Sequence, residues 1–236
     1  MCGRFSVQEE YIRIARNFGL YADTDIDDNQ SSDFNRSPGD MHPLVIAERN
    51  YLCLTSMKWG ISDVFRKMLI NARDDRIFSS KLWSSIYGNR CAVPVTGWWE
   101  WDAEKRIHHF SLHPKSSIFF LAGLHRNNQK TQVREFVIIT TEAVGKLREY
   151  HERMPLCLDS GNFRQWLTDK SYSIRDAAAN HDSFSFHHIP SDQSKPYDIK
   201  GRGSNPLMNG ISHCKGPLSG VSGGVCSMPL QKNQRI

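Results

Sequence analysis

Residues 44–54 read Leu44-Val45-Ile46-Ala47-Glu48-Arg49-Asn50-Tyr51-Leu52-Cys53-Leu54, two apolar runs of strand length with a short polar break between them. Runs of the same kind recur at Cys91–Val95, Ile118–Leu121, Phe136–Thr140 and Pro155–Leu158. Helical spacing is rarer. Tyr11, Ile14, Ala15 and Phe18 share one helical face of residues 8–18, and Ala143, Val144, Leu147 and Tyr150 predict a helix over 142–151. A third is predicted over 162–168, after Ser160. Strands that cluster with few helices between them argue for an α+β fold rather than a parallel doubly wound sheet. The expectation is a largely antiparallel sheet with a β-barrel-like core and a few flanking helices.

The chain has 236 residues, enough to bury a core without a disulfide or metal staple. Its hydrophobic share of 39% and charged share of 23% are those of a soluble globular protein. No apolar run approaches the roughly 18 residues that span a bilayer. Met1-Cys2-Gly3-Arg4 carries no secretory signal, so no membrane partner and a cytoplasmic, nucleoid-associated location are expected. Residues 201–236 hold seven of the sixteen glycines, with many Ser, Asn and Pro. A disordered basic tail over 196–236 is therefore expected behind a folded domain of 1–195. That tail carries about +4 of the net charge of +5, so a nucleic-acid site in the domain must be a local patch. The acidic run from Asp23 to Asp33 reads as a loop.

Six cysteines stand at 2, 53, 91, 157, 214 and 226, with no C-x-x-C pair, and no disulfide framework is expected. Cys53, Cys91 and Cys157 lie in apolar stretches and read as core thiols. The pairs His108-His109, His187-His188 and His213-Cys214 lack metal-ligand spacing, so no metal or cofactor is expected.

Cys2 stands apart. A small second residue favours removal of Met1, which would leave Cys2 exposed as the mature N-terminal residue, with an α-amine and a thiol on adjacent carbons. An α-amine has a pKa of about 7.7–8.0, so part of it is neutral near pH 7 and can attack an aldehyde. The neighbouring thiol can then close a five-membered thiazolidine, helped by a high effective molarity. Three further stretches carry usable chemistry. In Asn71-Ala72-Arg73 the amide can both donate and accept, and an extended segment points Arg73 the same way. In Gly97-Trp98-Trp99-Glu100-Trp101 a carboxylate sits among indoles, which raises its pKa and offers stacking faces for bases. In His151-Glu152-Arg153 a proton carrier is followed by a phosphate-binding cation. Each stretch alone also reads as a loop or a strand end.

Taken together, Cys2-Gly3-Arg4-Phe5, Asn35-x-x-Pro38-Gly39, Trp59-Gly60, Asn71-Ala72-Arg73, Gly97-Trp98-x-Glu100-Trp101 and His151-x-Arg153-x-Pro155 resemble, in that order, the SOS response-associated peptidase (SRAP) family of abasic-site processing proteins. The likeness runs over roughly residues 1–190. It implies a monomer that crosslinks to abasic sites in single-stranded DNA during the DNA damage response, through a thiazolidine on Cys2. It also implies peptidase-like, autoproteolytic removal of Met1 and a lyase-like reversal. By the same resemblance Asn71 positions the amine, Glu100 moves protons and His151 assists sugar opening and Schiff-base formation. Arg4, Arg73 and Arg153 fall where the family meets phosphate, Arg76 matches its next DNA-contacting arginine, and Pro38 and Thr140 line the DNA site. Where the family often carries a Trp pair this chain has Asp63-Val64-Phe65, with Phe65 as the remaining stacking side chain. Two other readings stay open: an N-terminal-nucleophile hydrolase acting on acyl substrates, and a DNA-binding module without catalysis.

Overall fold

The structure is a computed structural model that describes residues 2–24, 26, 33–62, 67–112, 117–179, 181 and 184–189. The chain enters as β1 (Arg4–Val7) and passes through an extended Glu10 into α1 (Tyr11–Phe18). Tyr11, Ile14 and Ala15 bury the face read from the spacing, and a left-handed Gly19 ends the helix. The short β2 (Tyr21–Ala22) and β3 (Asp33–Arg36) precede a long pair, β4 (Met41–Glu48) and β5 (Tyr51–Trp59). Next come β6 (Ile61–Ser62), β7 (Met68–Leu69), β8 (Asn71–Arg73), a 3-10 turn over Asp74–Arg76 and α2 (Lys81–Ile86). Five strands follow: β9 (Arg90–Val95), β10 (Gly97–Trp101), β11 (Ile107–Leu112), β12 (Phe119–Asn127) and β13 (Arg134–Glu142). The described part closes with a 3-10 turn over Gly145–Glu149, β14 (Arg153–Pro155), β15 (Cys157–Leu158), α3 (Asn162–Thr168), α4 (Ile174–Ala179) and β16 (Phe186–Ile189).

Glu48-Arg49-Asn50 is a tight turn: Glu48 lies opposite Tyr51, and β4 and β5 pair antiparallel along their length. β13 pairs with β12, β12 with β9, β9 with β4 and β4 with β5. β5 then returns to β13 through a parallel contact, Lys58 beside Glu135 and Trp59 beside Phe136. This closed ring is the barrel-like core of an α+β fold. Leu44, Val93, Leu121 and Ile138 share one face of the ring and Leu54 and Val137 the other, all fully buried, and Trp59 stacks on Phe136. A second sheet, ordered β16-β11-β10-β1-β3, is antiparallel throughout. Cys53, Cys91 and Cys157 are buried free thiols.

The helix expected over 142–151 is not formed. β13 runs on through Glu142, Val144 is extended, and Gly145 takes a left-handed φ of 51°, which leaves room for only the 3-10 turn. The apolar spacing there serves burial of Leu147 and not a helix. No described helix is long and apolar enough to cross a membrane. Phe65 and the stretch 196–236 lie outside the described residues, and every described element falls in the unit Met1–Pro196.

Candidate active site

Strand pairing brings the candidate residues together. β1 lies beside β10, with Arg4 opposite Trp99 and Phe5 opposite Trp98, so the start of the chain runs past Glu100. Gly97 opens β10 because nothing larger fits: a Cβ there would lie 2.5 Å from the His109 ring. β8 joins β13 in parallel register and β14 joins it antiparallel, so Thr140 has Arg73 on one flank and Pro155 on the other.

The Asn71 side-chain amide donates to the Cys2 carbonyl at 3.0 Å. Its Oδ1 is buried with no hydrogen-bond partner among the described residues, which leaves an acceptor beside the Cys2 backbone. Glu100 is 2% exposed, and burial pushes its carboxyl up to about 7. His151 Nδ1 stands 3.8 Å from Glu100 Oε1, beyond hydrogen-bond reach but close enough for their charges to interact. The same Nδ1 accepts the Arg153 backbone N–H at 2.9 Å, so a neutral His151 carries its proton on Nε2. Burial holds that imidazole below its ordinary value and so favours the neutral form.

Cys2 departs from expectation. With a residue ahead of it, it is 0% exposed, inside the hydrophobic core cluster, with Sγ 3.8 Å from the Arg4 carbonyl. The physical reason is that a thiol is a small apolar group, and the strand pairing that carries Cys2 past Glu100 packs it inward. Burial first, and the Glu100 carboxylate second, push the thiol well above its ordinary pKa. The indoles also differ from the reading of stacking faces. Trp98 and Trp99 are core side chains, against Phe110 and His109, and only Trp101 is half-buried.

Three of the four cationic candidates are already engaged. Arg4 donates to Asn35 Oδ1 at 3.1 Å. Arg73 forks onto Asp75 at 3.0 and 2.8 Å. Arg153, 8% exposed, pairs with Asp74 at 2.6 Å and donates to the Thr140 carbonyl. Thr140 is fully buried, Pro38 is half-buried in the turn before β4, and Arg76 is exposed. Sequence reading missed the carboxylates of Asp74 and Asp75, whose signal was their adjacency to Arg73. It also missed a chain of polar side chains behind the site, Asp102–His108–His188–Tyr150, whose signal was the two histidine pairs. Among the described residues no group of His, Cys, Asp and Glu is placed to hold a metal ion.

A family model described as SOS response associated peptidase (SRAP) matches residues 1–196. The chain is similar to Abasic site processing protein YoaM of Bacillus subtilis (strain 168), at 26% identity over 73% of this chain and 82% of that protein. It is similar to Abasic site processing protein YedK of Escherichia coli (strain K12), at 26% identity over 71% and 79%. Abasic site processing protein YMR114C of Saccharomyces cerevisiae shares 23% identity over 88% of this chain and 68% of its own length. A solved structure of a protein from Bacteroides thetaiotaomicron shares the fold, with a TM-score of 0.66 at 23% identity, covering 84% of this chain and 97% of that one. The family match runs from Met1, one residue ahead of the candidate nucleophile, to beyond β16, which is most of the chain, and on that ground the chain belongs to the SOS response associated peptidase (SRAP) family.

Proposed function

We propose that this protein processes abasic sites in DNA, and that it does so by trapping them in single strands as a thiazolidine on Cys2. The observation that supports this most is the convergence of Cys2, Asn71, Glu100 and His151, from four distant parts of the chain, around one buried carboxyl. The names of YoaM, YedK and YMR114C supply the target. On this reading cleavage after Met1 uncovers the Cys2 amine, and the folded cytoplasmic protein acts as a monomer at the nucleoid.

The chemistry then proceeds in balanced steps. A neutral Cys2 amine adds to the C1′ aldehyde of the opened sugar while its oxygen takes a proton, giving a carbinolamine. Protonation of that hydroxyl expels water and leaves the imine. The Cys2 sulfur adds to the imine carbon, and its proton ends on the imine nitrogen. The buried thiol is protonated at neutral pH, so the amine acts first and the sulfur closes the ring. Glu100, titrating near 7, can give the proton for dehydration and take it back. His151, with its proton on Nε2, serves the sugar oxygen. The Asn71 amide holds the Cys2 backbone so that the amine has one approach.

Intact mass, before and after incubation with single-stranded DNA treated with uracil glycosylase, tests this directly. The expected result is a chain beginning at Cys2 that gains the mass of the oligonucleotide less one water, and a Cys2→Ala protein that gains none. Absence of an adduct from the wild-type protein overturns the proposal. Turnover of glutamine or peptide in place of the adduct would favour an N-terminal-nucleophile hydrolase.

A further inference from the structure

Directly beside the candidate site, a cavity of about 450 Å³ lies between the Gly145–Glu149 turn, β11 and β16. Its walls include Phe110, Tyr150, Phe184, Phe186 and His188, with the exposed Lys146 also lining it. This volume is within the range of small-molecule sites.

The polarity of the cavity is set from behind. Burial works against the charge on Asp102, but hydrogen bonds from His108 and Arg106 outweigh it and hold the carboxyl down at about 2. Ionised Asp102 Oδ2 therefore accepts from His108 Nε2 at 2.9 Å. His108 Nδ1 lies 3.0 Å from His188 Nε2, close enough to share a hydrogen. His188 Nδ1 lies 3.3 Å from the Tyr150 hydroxyl. Burial, and then His108, hold the His188 imidazole below its ordinary value, which favours an uncharged His188 ring. These contacts engage both His188 nitrogens and one side of the Tyr150 hydroxyl, so His188 presents a ring face to the cavity and Tyr150 a hydroxyl that can give or take a hydrogen bond. Such walls suit a flat, neutral ring with polar groups on its edge.

Position narrows the ligand further. Tyr150 immediately precedes His151, and Trp98 faces Phe110 across the strands as Glu100 faces His108. The cavity wall and Glu100 therefore share one face of the β10–β11 pair. A strand whose abasic sugar lies at Glu100 and His151 can run along that face and bring an adjoining base towards the cavity. We propose that the cavity is a base pocket. It receives the nucleobase that adjoins the lesion, stacked among the aromatic walls with a polar edge group on the Tyr150 hydroxyl, while Lys146 meets a backbone phosphate. This rests on the function proposed above.

The test is fluorescence anisotropy with the Cys2→Ala protein, which keeps the DNA uncrosslinked. Abasic single strands are compared in which the base on the 5′ or the 3′ side of the lesion is replaced by a base-less spacer. Loss of the base on one side is expected to weaken binding about tenfold, the scale of one base stack, and loss on the other side to change little. Val144→Trp, added to the Cys2→Ala protein to fill the cavity, is expected to abolish the difference. Should that protein fail to fold, Phe184→Ala, which removes one wall, is expected to shrink it. Equal affinity for both spacers and the parent strand overturns the pocket, and so does a difference that survives the cavity substitutions. If the wild-type protein forms no adduct with any of these strands, the crosslinking function fails while the anisotropy still decides the pocket. Adducts without any base effect sink the pocket alone.

Discussion

A carboxyl buried beside β1 and pushed up to about 7, as Glu100 is, binds its proton more tightly in the folded chain than in the unfolded one. The sign of the stability effect follows. Below the unfolded value of 4.5 the group is neutral in both states and costs nothing. As pH rises towards 7 the folded state must keep a proton that the unfolded state releases, and stability falls by up to about 3 kcal/mol. Glu100→Gln is therefore expected to raise Tm at pH 8 and to leave it nearly unchanged at pH 4, which paired thermal melts would read. A site residue that weakens its own fold is the pattern expected where the charge serves chemistry. In the chemistry proposed above, the same group bounds the rate of adduct formation. The amine must be neutral, which favours higher pH, and Glu100 must hold a proton, which favours lower pH. The rate of imine formation is expected to be bell-shaped between about pH 6 and 9, with the upper limb belonging to Glu100. In Glu100→Gln that limb disappears and the rate falls by about a hundredfold or more. A wild-type rate that climbs steadily through pH 9 would remove Glu100 from the acid role.

Among the elements, α3 is tied to the barrel by one side chain. Arg90, at the start of β9, sends a guanidinium nitrogen to the carbonyls of Trp166, Asp169 and Tyr172 at 3.1, 3.1 and 2.7 Å. Its Cζ lies 4.4 Å from the centroid of the Trp166 ring, so it satisfies carbonyls at the end of the helix and packs against an aromatic at once. Arg90→Met strands those carbonyls and is expected to cost about 2–4 kcal/mol, lowering Tm by roughly 5–15 °C, with Arg90→Lys recovering only part. β9 itself was readable because Cys91–Val95 is apolar throughout and buried on both sides. β11 and β16 were not, because His108-His109 and His187-His188 break their apolar pattern. They are strands because polar partners wait for those rings: Asp102 and His188 for His108, and Ser6 for His109. The site shows the same division. Residue types at Asn71, Glu100 and His151 announced their chemistry, but the 3.0 Å contact from Asn71 to the Cys2 carbonyl depends on the parallel seating of β8 on β13, which no local pattern encodes. Cys2 was read as an exposed end because burial of a chain start is decided by what packs over it.

At the level of the whole molecule, charge sets how DNA is held. Outside residues 201–236 the chain carries a net charge of only about +1, and even the arginines nearest the site face carboxylates. Arg73, Arg148 and Arg153 line one depression together with Asp74, Asp75, Glu142 and Glu152. If Arg4, Arg73, Arg76 and Arg153 each neutralised one phosphate of a single strand, log K against log salt would have a slope of about −3. With Arg73 held by Asp75 and Arg153 by Asp74, a strand must displace a carboxylate at each, and the net gain of cations is smaller. The expected slope for Cys2→Ala protein on abasic single-stranded DNA is about −1.5. Asp75→Asn releases Arg73, whose fork onto Asp75 is exposed and weakly held. That substitution is expected to steepen the slope by about 0.7 and to tighten binding several-fold at low salt. Anisotropy titrations across a salt series measure both quantities. A parent slope near −3 that Asp75→Asn leaves unmoved would mean that phosphate replaces the carboxylates freely. The arginines would then act as full phosphate ligands despite their partners, and the weak overall charge would have no bearing on affinity.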